Sequence, residues 1–190
     1  MSAVAKYKYL TPEEYLTIER AAEHKSEYID GVMYAMAGGS PQHSLIASAV
    51  LAELYFQLKD SPCLVFNSDM KVRVPTGRKF HYPDVTVVCD EPQYADDEKD
   101  VLLNPLLLVE VLSDSTASYD RRRKFLYYQE IESFREYLLI DQGGPVVQHY
   151  LKQPDSSWLC IRIAGLEQSI ELVTINCHLQ LKDIYAKVIA

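Results

Sequence analysis

Two carboxylates stand in stretches that otherwise carry nothing but apolar and β-branched residues. Tyr82-Pro83-Asp84-Val85-Thr86-Val87-Val88-Cys89 places an Asp at the mouth of one such run, and Leu106-Leu107-Leu108-Val109-Glu110-Val111-Leu112 places a Glu near the end of the most apolar one. An ionised carboxylate in such surroundings has to be solvated, hydrogen-bonded or bound to a cation. Strand alternation puts Leu108, Glu110 and Leu112 on one face, and a register slip that moved Glu110 would invert the whole strand. If the two strands are neighbours, Asp84 and Glu110 converge. Two carboxylates at close range in an apolar setting raise each other's pKa or hold a hard cation between them. Mg2+ takes few protein carboxylates and keeps its waters for a phosphate substrate, so the chemistry this pair suits is metal-assisted hydrolysis of a phosphate ester. No rival set is present: the chain has no G-x-S-x-G, H-E-x-x-H or P-loop motif.

The scaffold for these acids is a chain of 190 residues, 48% hydrophobic and 24% charged, which suits a single domain over residues 1–190 with one well-buried core. No window approaches a membrane span and MSAVAKYKYL has no apolar leader core, so a cytoplasmic protein without a membrane partner is expected. The four cysteines, at 63, 89, 160 and 177, lie far apart without metal-ligand spacing, and are expected as reduced core thiols. The net charge of −8 is uneven, because the segment Asp90–Asp100 alone contributes −5. Against it stand Lys71, Arg73, Arg78 and Lys79 in one stretch, and Arg121 to Lys124 in another. These are candidate phosphate contacts, with a solvated face as the alternative.

Leu10-Thr11-Pro12-Glu13-Glu14-Tyr15 reads as a capping box with Pro at the first helical position and Leu10 and Tyr15 as a staple, opening a helix to about His24. Asp30-Gly31 marks a tight hairpin. Ser40-Pro41 starts a second helix whose Leu45, Ile46, Ala49, Val50, Tyr55 and Leu58 recur at helical spacing. Three strand-like runs follow (CLVFNSDMKVRV, YPDVTVVC and LLLVEVLS), the last two apolar enough to be covered on both faces at the sheet centre. A third helix capped by Asp120 is expected to bury Phe125, Leu126 and Tyr128, and to put Lys124 on one face with Asp120 and Tyr128. EYLLID, VVQHYLK and WLCIRIAG read as further strands, and Leu181, Ile184, Tyr185 and Val188 as a closing helix.

Pro83-Asp84 followed by Glu110 in an apolar strand resembles the PD-(D/E)xK nuclease superfamily. The wider pattern is similar to the Uma2 family (DUF820), a restriction-endonuclease-like group abundant in cyanobacteria: Glu27 before Tyr-Ile-Asp-Gly, His43, Tyr82-Pro83-Asp84-Val85, Val109-Glu110-Val111-Leu112-Ser113 with Ser115-Thr116, then Asp120, Lys124, Tyr128 and Glu136-Tyr137. The resemblance implies an α/β (α+β) fold with a mixed central β-sheet flanked by helices, preceded by the N-terminal helix and hairpin. It further implies Mg2+ or Mn2+ on Asp84 and Glu110, DNA as the substrate, and by analogy with enzymes that cut two strands a homodimer. Glu27 becomes an additional acid near the metal, Val111 offers its backbone carbonyl, and His43 is an accessory. One position departs from the simple motif: the lysine expected two residues after Glu110 is Leu112. Lys124 is the candidate substitute, with a structural ion pair as its alternative role. Two further functions stay open, a noncatalytic binding module on a nuclease scaffold and an enzyme for a smaller phosphate ester.

Overall fold

The computed structural model describes residues 9–76, 78–113 and 120–188, apart from the side chains of Asp120 and Arg121. Ser115, Thr116, the proposed Asp120 cap and the expected phosphate contact at Arg121 therefore lie outside the described residues.

Helix α1, Pro12–Ala21, starts on the full capping box: Thr11 accepts from the Glu14 backbone and Glu14 returns to the Thr11 N–H. It stops short of His24, at Ala21. Strands β1 (Ser26–Ile29) and β2 (Val32–Ala35) form a hairpin whose turn residues, Asp30 and Gly31, both have positive φ. Strands β4 (Lys71–Arg73), β5 (Lys79–His81) and β7 (Val101–Leu102) extend it into a five-stranded sheet, order β2-β1-β5-β4-β7. Tyr15, Tyr28 and Phe80 pack α1 onto that sheet through ring contacts of 4.9–5.8 Å.

The larger sheet has six strands in the order β11-β10-β9-β8-β6-β3, formed by β3 (Leu64–Asn67), β6 (Val85–Val88), β8 (Leu107–Leu112), β9 (Glu136–Asp141), β10 (Val146–Lys152) and β11 (Trp158–Ala164). Only β8 and β9 pair in parallel, the remaining neighbours being antiparallel. All of β6 and β8 is buried, as their uniform apolarity requires. Helix α2, Pro41–Leu58, capped by Ser40, lays Ile46, Val50, Leu54 and Leu58 on one face, which is closed further by the ribbon β12 (Ser169–Leu172)–β13 (Cys177–Gln180) and the short helix α4 (Leu181–Ile184). On the other face Leu108, Leu112, Tyr137 and Leu139 meet Tyr128, Ile131 and Phe134.

Four expectations change. CLVFNSDMKVRV divides at Asn67-Ser68-Asp69-Met70 into β3 and β4, which belong to different sheets. The third helix is a π-helical turn, Asp120–Lys124, running into one α-helical turn, α3 (Phe125–Tyr128), so its faces do not follow a 3.6-residue period and Leu126 is exposed. The β12–β13 ribbon was not foreseen. Finally, the cysteines are not four reduced core thiols: Cys63 and Cys89 form a disulfide, because the β3–β6 register that pairs Leu64 with Val88 brings their neighbours together. Cys160 is exposed and Cys177 alone is a buried free thiol among these four. No helix among the described residues is long and apolar enough to cross a membrane.

Candidate active site

Pro83 has no N–H to give to a sheet ladder, so regular pairing of β6 with β8 begins only after it. At that point Asp84 donates its own N–H to the Val109 carbonyl (3.0 Å) and uses Oδ2 to accept from the Val111 N–H (2.7 Å). The side chain stands in for a missing backbone acceptor. This ties Asp84 to the residue that follows Glu110. The same oxygen lies 3.2 Å from His43 Nε2. His43 sits at the third position of α2, its N–H on Ser40 Oγ, and a side chain at Gly39 would come within 2.9 Å of the imidazole Nδ1. A glycine there lets the incoming loop run against the ring.

Glu110 points from the opposite face of β8 to that covered by α2. Its Oε1 accepts from Tyr128 Oη (3.0 Å) and from Lys124 Nζ (3.2 Å), so the π-helical turn and the helical turn after it each deliver one donor. Lys124 Nζ also lies 2.9 Å from Glu27 Oε1, and Glu27 Oε2 lies 3.3 Å from His81 Nδ1. The β1–β5 register that pairs Tyr28 with Phe80 brings Glu27 and His81 opposite each other. The His81 ring is stacked on Tyr127 and edge-on to Tyr128, at centroid distances of 6.0 and 5.6 Å. Burial pushes the Glu27 carboxyl up, but Lys124 and His81 outweigh it and hold the pKa at about 2. Burial and the Glu110 charge raise the Tyr128 hydroxyl well above its ordinary value, so it stays a donor.

The structure thus forms two contact groups that meet on β8, Glu27 with Lys124 and Glu110 in one and Asp84 with His43 and the Val111 N–H in the other, with Leu112 buried in the apolar cluster beside them. It does not present the expected phosphate contacts of the 71–79 stretch there. Lys71 is buried with Nζ 2.7 Å from Asp100, and Lys79 is buried with its Nζ over the Tyr127 ring at 4.6 Å; neither is presented to a ligand. Arg73 is half-buried over the Phe80 ring, and the exposed Arg78 lies 3.6 Å from Asp30. The acidic segment answers part of this charge, since Asp96 and Asp100 also grip Arg20, and that guanidinium, followed by Lys71, holds Asp100 at about 2. His81 was missed as a partner of Glu27. The only sequence signal for it is its place in the HYPD run, which becomes informative once β1 and β5 are known to pair.

No group of three or more His, Cys, Asp or Glu side chains able to hold a metal occurs among the described residues. What is present is a smaller set of hard oxygen donors: Asp84, whose two contacts both fall on Oδ2, Glu110, and the main chain at Val111 that joins them. That set fits Mg2+ or Mn2+, which need only one or two carboxylates, and not the N/S ligation of structural zinc. A cleft of about 630 Å³ opens beside Asp84, walled by residues that include Lys25, Gly38, His43, Ser44 and Asn67.

An α+β core with a mixed sheet, helices on both faces and acids at the ends of adjacent central strands is a restriction-endonuclease-like architecture. The crystal structure of "a putative nuclease belonging to DUF820" from Anabaena variabilis has the same fold, with a TM-score of 0.77 over 95% of this chain and 99% of that one at 18% identity. The chain belongs to the Uma2 family, whose model, described as "Putative restriction endonuclease", matches residues 12–182. Two Synechocystis sp. proteins are similar along nearly their whole length. The protein sll1609 is 38% identical over 171 residues, 90% of this chain and 97% of that one, and slr1290 is 34% identical over 184 residues, 97% and 95% respectively.

Proposed function

We propose that this chain is a Mg2+- or Mn2+-dependent endonuclease that hydrolyses DNA phosphodiester bonds. The observation that carries this reading is the return of a lysine to Glu110 from another element: Leu112 is buried and apolar, yet Lys124 Nζ stands 3.2 Å from Glu110 Oε1. Asp84 and Glu110, with the Val111 carbonyl, would hold the ion. Bound there, it supplies a Lewis acid to the phosphoryl oxygen and lowers the pKa of the attacking water. Lys124, steadied by Glu27, orients that water and stabilises negative charge as it develops. Tyr128 fixes the Glu110 carboxylate, and His43 with the Val111 N–H fixes that of Asp84. Membership of a nuclease-like family supports nucleic acid as the substrate.

One observation favours a noncatalytic module instead: Lys124 sits between two carboxylates, Glu27 and Glu110, as a structural ion pair would. Lys124→Met separates the two, since it keeps the aliphatic stem and removes the charge. In the catalytic case turnover of DNA, offered both as plasmid and as single strand, with Mn2+ falls by about 10²-fold or more at nearly unchanged metal affinity. Leu112→Lys in that background restores part of the rate, because position 112 shares a face with Glu110. Unchanged turnover per folded molecule, with melting curves as the control, rules out Lys124 as the displaced lysine.

A further inference from the structure

We infer that the strand entering this site is unpaired: a single-stranded stretch or end of nucleic acid, one or two nucleotides deep, and not an intact duplex. What happens to that strand rests on the nuclease reading above, whereas its recognition does not. Depth is the first reason. The side chains of Asp84, Glu110, Lys124 and Glu27 are only 14%, 6%, 8% and 12% exposed, and of these four Asp84 lines the cleft of about 630 Å³. Such a volume falls in the range of small-ligand sites, about 300–1,000 Å³. A duplex is a stiff rod with a persistence length of about 50 nm and cannot bend into it. An enzyme with a recessed site must take the nucleotide out of its stack, which costs a few kcal/mol and least where the strand is already unpaired.

Charge is the second reason. Duplex binding relies on many Lys and Arg side chains spread along the phosphates. Among the described residues the cleft wall has one lysine, Lys25, whose Nζ is bonded to the Ser68 carbonyl and Asp69, and it has two acids, Glu23 and Asp84. Lys71 and Lys79 are buried, and Arg122 and Arg123, exposed beside Lys124, do not line the cleft. What the wall offers is an amide at Asn67, hydroxyls at Ser44 and Ser48, the imidazole of His24, and bare backbone at Gly38 with nothing within 4 Å of where a Cβ would be. These groups suit the Watson–Crick edge of a base and its open ring face, which only an unpaired nucleotide presents.

Fluorescence anisotropy with the full chain in EDTA tests recognition without cleavage. A labelled 12-mer, as DNA and as RNA, is compared with the same sequence closed into a blunt duplex. The single strand is expected to bind at least about tenfold tighter, with a log–log salt slope of about −0.7, about one phosphate neutralised. Ser44→Trp and Ser48→Trp, both at exposed helix positions, fill the cleft and should each weaken strand binding about tenfold while leaving Mn2+ binding by calorimetry unchanged. Equal binding of duplex and single strand, or parental binding by both Trp variants, overturns the inference. A parallel Mn2+ cleavage assay keeps the two ideas apart. Single strand bound at the cleft but never cut removes the nuclease reading and leaves this one standing; duplex cut with the same kcat/KM as single strand does the reverse.

Discussion

Glu110 and Glu136 are buried on adjacent parallel strands, β8 and β9, and the fold answers their charges in different ways. Glu136 opens β9 on the face shared with α2. Its carboxylate takes Thr174 Oγ1 at 2.6 Å and the Val173 N–H at 3.2 Å, and lies 3.2 Å from His149 Nε2. Those first two donors belong to the β12–β13 connection, so the acid anchors the ribbon to the sheet. Glu110, near the other end of its strand and on the other face, is met by a long lysine and a phenol beside Asp84 and its cleft. A backbone donor cannot leave without unfolding, whereas a lysine can swing to a new partner. Burial alone therefore does not distinguish the two acids; the kind of donor that answers each of them does.

The largest expected effect that would break this contrast is on metal binding. Asp84→Asn and Glu110→Gln should each weaken Mn2+ by about 10²-fold or more, on the scale of lost metal-shell groups, while Glu136→Gln binds as the parent does; calorimetry on the three variants decides. Next in size is folding stability. Glu136→Leu strands the Val173 and Thr174 donors and should cost about 3 kcal/mol, read from urea midpoints. Glu110→Gln should stay within about 1 kcal/mol, because Lys124 keeps Glu27 at 2.9 Å.

Acid titration sharpens the contrast further. Glu27 and Asp100 are both held at about 2, below their ordinary values of 4.5 and 3.8. Their contribution is complete above the unfolded pKa and is lost as the pH falls toward about 2. Lys124→Met removes a main support of the low Glu27 value, so melting temperature plotted against pH should fall less steeply below about 4.5 in that variant than in the parent. The smallest effect belongs to the surface clamp: Arg20→Leu, losing partly exposed pairs with Asp96 and Asp100, should cost no more than about 1 kcal/mol and leave Mn2+ binding untouched.

What the sequence made legible is local or periodic. Thr11-Pro12-Glu13-Glu14 caps its helix by contacts within one turn, Asp30-Gly31 supplies the positive φ of its hairpin, and Leu107–Leu112 could only be a covered strand. The two site acids were visible for the same reason, as polar residues breaking an apolar period. Their partners were less so. Glu27 reaches His81 only because β1 pairs with β5, and Lys124 only because the π-helical turn lies against that pair, and Lys71 is neutralised by Asp100 only because β7 lies beside β4. Leu126 misled because a π-helical turn before it shifts the buried face.

The Cys63–Cys89 link spans 26 positions of sequence and has a topological consequence. Between its ends the chain leaves the larger sheet after β3, contributes β4 and β5 to the smaller one, and returns as β6. The covalent ring therefore contains strands of both sheets. A closed loop of this length removes about 3.5 kcal/mol of conformational freedom from the unfolded chain. Reduction accordingly acts first on the denatured ensemble: it lengthens the search by which the crossover finds both sheets, while the hydrogen bonds that orient Asp84 at the start of β6 remain those of the native chain.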